Sequence, residues 1–304
     1  MPVPVPVLID TDLGDDIDDA LALAFALRSP ELEVVGVTTV FQRAGLRARL
    51  ARRICAACGR PDVPVVAGLD RPLLGIVHPD WRPSQAALLD GEPDEPRAEA
   101  QRAVDFIIAQ GLRREGLVVV PIGPMTNVAV ALAAEPALAR RVRVVAMAGA
   151  WDRETAEWNV VCDPEAAGAV LASGVPVDFV GLDVTEACPM RPGDLAALAA
   201  STDEPGATLW AFVRAWQRAG GRDERFAPLL HDALAIAAVF RRDLVAWEEG
   251  AVAVDLGEAR RGVTSIAAGG GPEGGPCRRV ARHVDTDRFT ALWAARVCGT
   301  GGGA

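Results

Sequence analysis

Short apolar runs rich in β-branched residues alternate along this chain with longer segments of helical spacing. The predicted strands are Val3–Ile9, Leu32–Thr38, Leu117–Pro121, Val142–Ala148 and Val175–Leu182, with late strands at Ala251–Asp255 and Arg279–Val284. The predicted helices are Asp19–Arg28, Leu46–Cys58, Arg97–Gly111, Met125–Ala134, Pro164–Ser173, Ala207–Ala219, Ala233–Phe240 and Asp287–Val297. Strands that are apolar on both faces and alternate with helices are typical of buried parallel sheets. The pattern therefore predicts an α/β fold with an open, mostly parallel, doubly wound sheet and helices on both faces.

The alternation continues through the middle of the chain without a long linker or an internal repeat. We therefore predict a single domain over residues 1–298. The glycine-rich end, residues 299–304, is predicted to be a flexible tail.

Charge and hydropathy narrow the class of protein. Acidic residues outnumber basic ones by 41 to 31, for a formal net charge of −10, which argues against binding to nucleic acid or to an anionic membrane. No apolar run approaches the roughly 18 residues of a membrane-spanning helix. The first residues lack the basic region of a secretory signal. We therefore expect a cytoplasmic protein.

Several catalytic classes are excluded by residues that the chain lacks. It contains no lysine, which removes Schiff-base chemistry and lysine-dependent phosphate loops. It has five serines and no G-x-S-x-G, so it does not look like a serine hydrolase. The six cysteines form no zinc or disulfide framework, and the C-x-x-C at Cys55 and Cys58 is predicted to be a pair of buried or half-buried thiols.

The most informative segment is DTDLGDDIDD at residues 10–19, with six aspartates in ten residues directly after the first predicted strand. Helix capping explains one or two of them. So many like charges at the carboxyl end of a strand indicate a bound hard cation, Ca²⁺ or Mg²⁺. A haloacid-dehalogenase-type phosphatase requires a later lysine, and an EF-hand requires glycine at the sixth position of its loop. Neither pattern fits this chain.

The segment resembles the opening of the nucleoside hydrolases, the inosine–uridine-preferring N-ribohydrolase family. Three further blocks resemble family motifs and follow in the family's order. They are IGPMTN (122–127), MAGA (147–150) with AEWN (156–159) and DPEAA (163–167), and LHDALA (230–235). The resemblance covers residues 8 to about 240.

The resemblance implies calcium-dependent hydrolysis of the N-glycosidic bond of a ribonucleoside, or of a modified nucleoside or nucleotide. It assigns Ca²⁺ to the carboxylates of Asp12, Asp19 and Asp232 and the backbone carbonyl of Thr126, with Asp16 as an alternative ligand. Asp12 is the expected base that takes a proton from the calcium-bound water. Family members are commonly homodimers or homotetramers.

The resemblance also assigns roles around the substrate. His231, next to Asp232, is the expected general acid for the leaving base; its alternative is a packing residue. The candidate substrate-binding residues are Asp18, Glu157, Asn159, Asp183, His78 and Arg43. Trp158 is interpreted as a packing residue.

The chain also departs from the family pattern. The acidic segment is two residues longer than the common signature, and the asparagine of the family's T-T-V-x-G-N is replaced where this chain reads TTVFQR at residues 38–43. Arg43 therefore suggests an anionic substituent on the substrate. Its alternative is a surface arginine beside Arg47 and Arg49 on a solvated helix. A non-catalytic nucleoside- or sugar-binding protein and a Mg²⁺ phosphohydrolase remain as alternatives.

Overall fold

The computed structural model describes residues 3–74, 82–91, 101–268 and 278–299. The strands of these ranges are β1 (Val5–Thr11), β2 (Leu32–Thr39), β3 (Val65–Ala67), β4 (Val118–Pro121), β5 (Arg143–Ala146), β6 (Val177–Phe179), β7 (Val245–Val254), β8 (Thr264–Ala268) and β9 (Arg278–Val284). The helices are α1 (Asp18–Leu27), α2 (Ala44–Ala57), α3 (Gln101–Arg113), α4 (Thr126–Ala134), α5 (Trp158–Cys162), α6 (Pro164–Ala172), α7 (Leu182–Thr185), α8 (Pro192–Ala200), α9 (Gly206–Ala219), α10 (His231–Phe240) and α11 (Thr286–Val297).

All of these strands form one sheet in the order β3-β2-β1-β4-β5-β6-β9-β7-β8. Neighbours from β3 to β9 are parallel, and β7 is antiparallel to both β9 and β8. The chain runs outward from β1 to β3 and then returns to place β4 on the other side of β1. In open α/β sheets such a reversal leaves a crevice at the carboxyl ends of the two strands. The predicted fold class is confirmed.

Helices cover both faces of the sheet. Along β1 the side chains of Val7 and Ile9 belong to one buried cluster and that of Leu8 to another. Successive strand residues point to opposite faces, so two apolar layers bury this strand. None of the helices in the described ranges combines the length and apolar character needed to cross a membrane.

The sequence prediction is wrong in detail where elements are short or lie at the sheet edge. It missed β3, β8, α5, α7 and α8. It also placed the first late strand at Ala251–Asp255, whereas β7 covers Val245–Val254. Residues of β7 are mostly half-exposed, and it runs through Trp-Glu-Glu-Gly, so it lacks the apolar pattern of a central strand. The prediction Val175–Leu182 is too long, because β6 ends at Phe179 and α7 begins at Leu182.

Helices α1 and α10 pack against each other, although more than 200 positions separate them. The rings of Phe25 and Phe240, near their carboxyl ends, lie 6.1 Å apart. Their amino ends therefore lie at the same end of the sheet. Each helix begins with a polar pair, Asp18–Asp19 in α1 and His231–Asp232 in α10.

Candidate active site

A cavity of about 470 Å³ lies at the carboxyl ends of β1, β4 and β5. Its lining is strongly acidic. The described lining residues are Asp12, Asp15, Asp16, Asp18, Asp19, Ile122, Met147, Glu157, Trp158, Asn159, Leu182, Trp216, Arg222, His231 and Asp232. The loop after β1 and the amino ends of α1 and α10 thus contribute most of its charge.

Three carboxylates form a compact group in this cavity. Asp18, Asp19 and Asp232 each offer an oxygen, and these oxygens all lie within 4.8 Å of one another. All three side chains are buried. The pKa of each carboxyl is raised well above its usual value, mainly by burial and to a smaller extent by repulsion from neighbouring aspartates. The Thr11 hydroxyl donates to Asp19 Oδ1 at 2.5 Å and holds that carboxylate in place.

Asp12 lies in the same cavity beside this group. Burial raises its pKa to about 7, and its charge in turn raises the pKa of Asp18, Asp19 and Asp232. Buried anions at this density are costly unless a cation compensates them. An all-oxygen donor set on two packed helices and a strand end suits a hard divalent cation. The residues present therefore fit the metal that the sequence analysis predicts.

His231 faces the cavity from the first position of α10. Its Nδ1 lies 2.7 Å from the hydroxyl of Thr185, a fully buried residue at the end of α7. Burial lowers the pKa of the imidazole, and the charges of Asp16 and Glu186 oppose this shift. The histidine is thus anchored through one ring nitrogen.

Glu157 and Asn159 lie close to the ends of β4 and β5. The Glu157 carboxylate caps α5 by accepting from the backbone N–H groups of Asn159 at 2.7 Å and Val160 at 3.2 Å. Burial raises its pKa to about 7. The Asn159 Nδ2 donates to the carbonyls of Ile122 at 3.2 Å and Met147 at 3.1 Å. Its amide is therefore held across the two strand ends, with both side chains lining the cavity.

Other predicted site residues lie outside the described cavity lining. The Thr126 hydroxyl donates to Asp163 at 2.7 Å at the start of α4. The Asp183 carboxylate accepts from the backbone N–H of Trp151 and of Asp152. Arg43 is exposed immediately before α2. The roles of Thr126, Asp183 and Arg43 in binding metal or substrate stay predictions. The predicted substrate-binding residue His78 lies outside the described residues.

Two interpretations from the sequence are wrong. Trp158 is not a packing residue, because it is about half exposed, at 49%, on the cavity wall. Arg47 is not on a solvated face, because its side chain is fully buried. It shares a face of α2 with Ala51 and Ile54, and this helical spacing was the signal that could have located it.

Sequence reasoning also missed an arginine–aromatic wall of the cavity. The Arg222 guanidinium lies 4.2 Å from the ring centroid of Trp216, and both residues line the cavity. Phe226 is half exposed and lies near both residues, with its ring centroid 5.8 Å from that of Trp216 and 5.9 Å from the Arg222 guanidinium carbon. Trp216 follows the apolar spacing of α9, so its sequence pattern indicates only a core residue.

Comparison with known proteins identifies the family. The family model described as "Inosine-uridine preferring nucleoside hydrolase" matches residues 7–291. The chain is 34% identical over 310 residues to the pyrimidine-specific ribonucleoside hydrolase RihA of Klebsiella pneumoniae, and the match covers 96% of this chain and 98% of the relative. It is 31% identical over 270 residues to uridine nucleosidase 1 of Arabidopsis thaliana, which covers 82% of this chain and 78% of that protein.

Solved structures agree with the sequence comparison. The purine-preferring ribonucleoside hydrolase from Gardnerella vaginalis is 30% identical and superposes with a TM-score of 0.83, covering 97% of this chain and 98% of that one. With a family match across most of its length and relatives matched nearly end to end, the protein belongs to the inosine-uridine preferring nucleoside hydrolase family and is an N-glycosyl hydrolase.

Proposed function

We propose that this enzyme hydrolyses ribonucleosides to free base and ribose with Ca²⁺ as its cofactor and Asp12 as the base. The observation that carries the proposal is the buried group of Asp18, Asp19 and Asp232 in the lining of a cavity of about 470 Å³. Asp19 and Asp232 belong both to this group and to the ligand set that the motifs imply. They would hold the ion, with Asp12 and Asp18 beside them.

A bound divalent cation supplies two things in such a site: it lowers the pKa of a coordinated water and it orients the sugar hydroxyls. The residues of the chain then act on the substrate. Asp12 accepts a proton from the attacking water. As the glycosidic bond stretches, positive charge develops on the ribose, and the surrounding carboxylates stabilise it electrostatically.

The ribose is proposed to bind between the carboxylate group and the ends of β4 and β5. Asn159 uses its Nδ2 for two backbone carbonyls, so its Oδ1 is oriented to accept from a sugar hydroxyl. Glu157 is held by three backbone N–H groups, including that of Gly149 at 3.2 Å, which fix the position of its carboxyl group on the cavity wall. Rigid acceptors of this kind position the sugar before reaction.

The base is proposed to lie between His231 and the wall formed by Trp216 and Arg222. A flat aromatic and guanidinium surface offers stacking to a nucleobase. As a general acid His231 would act as the imidazolium, in which Nδ1–H donates to the Thr185 hydroxyl oxygen 2.7 Å away and the second ring N–H is that of Nε2. That N–H is then available for the nitrogen of the departing base.

The test is base release by protein treated with EGTA and then supplied with Ca²⁺, Mg²⁺ or no metal. The relatives include a pyrimidine-specific and a purine-preferring hydrolase, so the panel contains uridine, cytidine, inosine and adenosine. We expect activity to return with Ca²⁺, and Asp12→Asn to lower kcat by about 10²–10⁴-fold. Asp62→Asn, an exposed aspartate paired with Arg60, is the matched control. Full activity in EGTA, or in Asp12→Asn, would contradict the proposal.

The same panel tests the role of Arg43 when the 5′-monophosphates are included. The described cavity lining carries seven carboxylates against one arginine, so we expect nucleosides to be cleaved faster than their phosphates. If Arg43→Ala released base more slowly from the 5′-monophosphates but not from the nucleosides, the result would support recognition of an anionic substituent by Arg43. Equal losses on both substrates, or none, would remove that hypothesis.

A further inference from the structure

Arg47 is a buried cation that the proposed mechanism does not use. It lies on α2 with its side chain fully inaccessible to solvent. Every nitrogen of its guanidinium donates a hydrogen bond. Nε donates to the carbonyls of Phe41 and Gln42 at 2.7 and 2.8 Å. Nη1 donates to the carbonyls of Asp12 and Leu13, and Nη2 to Asp15 Oδ2 at 2.7 Å.

These contacts join two segments, of which the first lines the cavity. One is the acidic loop, residues 12–16, which contains Asp12 and leads into α1. The other is the turn over residues 41–43, where Phe41, Gln42 and Arg43 have φ values of 62°, 27° and 54°. Three successive non-glycine residues in the left-handed region persist only where the surrounding structure holds them. Arg47 supplies donors to two carbonyls of this turn.

The acidic loop is also bound from its other side. The backbone N–H of Gln85 donates to the carbonyl of Gly14 at 3.0 Å, and its Nε2 donates to the carbonyl of Asp16. The loop is two residues longer than the family signature, and Asp15, within this longer stretch, is the carboxylate that Arg47 binds. The added length is therefore packed between a buried guanidinium and the segment at residues 84–89 rather than left loose.

We infer that Arg47 is a positioning residue for the metal site: its guanidinium sets the backbone of Asp12 and the path of the acidic loop, so that the carboxylates are arranged before the ion binds. The inference rests on the proposed function, because it concerns the same ion. These contacts require several N–H donors in one plane, directed at carbonyls on two segments and at a carboxylate. The guanidinium of arginine provides this geometry and the ammonium of lysine does not.

The experiment measures Ca²⁺ affinity rather than turnover. Metal-depleted wild type, Arg47→Met, Arg47→Lys and Asp15→Asn are titrated with CaCl₂ by calorimetry, and their thermal unfolding is followed in EGTA. The matched control is Arg143→Met, which removes another guanidinium that is paired with a buried aspartate, Asp178. Arg143 begins β5 and Asp178 lies in β6, and neither residue lines the cavity.

Removing a group that orients metal ligands typically weakens metal binding about 10- to 100-fold. We expect Arg47→Met to raise the Kd for Ca²⁺ by that factor and Arg47→Lys to recover only part of the loss. Asp15→Asn should raise it less. Arg143→Met should lower Tm while changing the Kd by less than about twofold.

If Arg47→Met does not fold, Arg47→Lys and Asp15→Asn decide the question. Wild-type affinity in both of those variants would overturn the inference and leave the proposed function intact. A folded Arg47→Met with wild-type affinity would have the same consequence. Wild type that binds no divalent cation would overturn the inference and the calcium part of the proposed function together, so the two failures are distinguishable.

Discussion

His231 shows how one hydrogen bond can define the chemistry of a side chain. Its Nδ1 is engaged by the hydroxyl of Thr185, which lies 46 positions earlier in the chain and is fully buried. The ring is thereby fixed in orientation, and its Nε2 is the nitrogen that remains for the substrate. The sequence indicated His231 because it precedes Asp232. It contained no signal for Thr185, since nothing local in the chain connects α7 to α10.

A proton donor is needed most when the leaving group is poor. We expect His231→Ala to lower kcat on uridine or inosine by about 10²–10⁴-fold, but to lower it less than about tenfold on nitrophenyl riboside. Steady-state kinetics on both substrates checks this expectation. His283→Ala, an exposed histidine on β9, serves as the control and should change neither rate. Equal losses on both substrates in His231→Ala would argue against a donor role.

Arg47 and Trp158 mark the limit of prediction at this scale. A charged residue is usually exposed and a tryptophan is usually packed, and both expectations are wrong here. Arg47 is buried because backbone carbonyls of two loops and a carboxylate converge on it. Trp158 is half exposed because it lies between two residues, Glu157 and Asn159, that line the cavity.

At the scale of elements, the site depends on loops that follow strands. The loop that contains Asp12 follows β1, and β4 lies next to β1 in the sheet. Gly123 lies in the turn between β4 and α4. A Cβ built on Gly123 would lie 2.7 Å from Asp12 Oδ1 and 2.8 Å from the Asp12 backbone nitrogen. The turn after β4 therefore lies so close to the proposed base, Asp12, that only a residue without a side chain fits at position 123.

Gly123→Ala tests this close approach. The added methyl must displace Asp12, so we expect kcat/KM to fall about 10- to 100-fold, since a small misplacement of a reacting group is costly. Gly45→Ala is the control: apart from its chain neighbours and the backbone of α2, no atom lies within 4 Å of its built Cβ, so this change in the first turn of α2 should leave kcat/KM unchanged. Unchanged kinetics in a folded Gly123→Ala would show that Asp12 tolerates the displacement.

The central elements could be predicted from sequence, and the peripheral ones could not. Strands β1, β2 and β4 are apolar on both faces, and this pattern locates them within two residues. Strand β3 has three residues and β8 lies at the end of the sheet order. Short or edge strands have little buried area to impose an apolar pattern, so their sequences resemble loops.

At the scale of the whole molecule, the fold concentrates negative charge that the sequence distributes over more than 200 positions. The aspartates of the β1 loop, Glu157 and Asp232 line one cavity. Helices α1 and α10 begin at this cavity, and helix amino ends favour nearby anions. Even so, burial raises the pKa of these carboxyls, which shows that the metal-free arrangement opposes their ionisation.

This charge predicts how the stability of the metal-free protein depends on pH. Burial raises the pKa of Glu157 from 4.5 to about 7 and that of Asp10 from 3.8 to about 7. Between these values the folded protein holds protons that the unfolded chain has released, so stability falls as the pH rises through this range. We expect a lower Tm in EGTA at pH 8 than at pH 5.

Calcium should reverse this trend, because the ion binds deprotonated carboxylates and its affinity therefore rises with pH. The gain in Tm on adding Ca²⁺ should be larger at pH 8 than at pH 5. Scanning fluorimetry at both pH values, with and without the ion, measures both effects. A metal-free Tm that rises toward pH 8, or a calcium gain that is larger at pH 5, would contradict the electrostatic account. Glu157→Gln should reduce the pH dependence, and Asp62→Asn should leave it unchanged.

The sequence by itself determined the fold class, the family motifs and the kind of chemistry, because strand periodicity and the run of aspartates after β1 are properties of neighbouring residues. Only the tertiary structure decided which groups meet. Asp232 joins Asp18 and Asp19 because α1 and α10 pack side by side, and Arg47 on α2 donates to the carbonyl of Asp12, 35 positions earlier in the chain. Such contacts depend on long-range packing, which residue spacing along the chain does not encode.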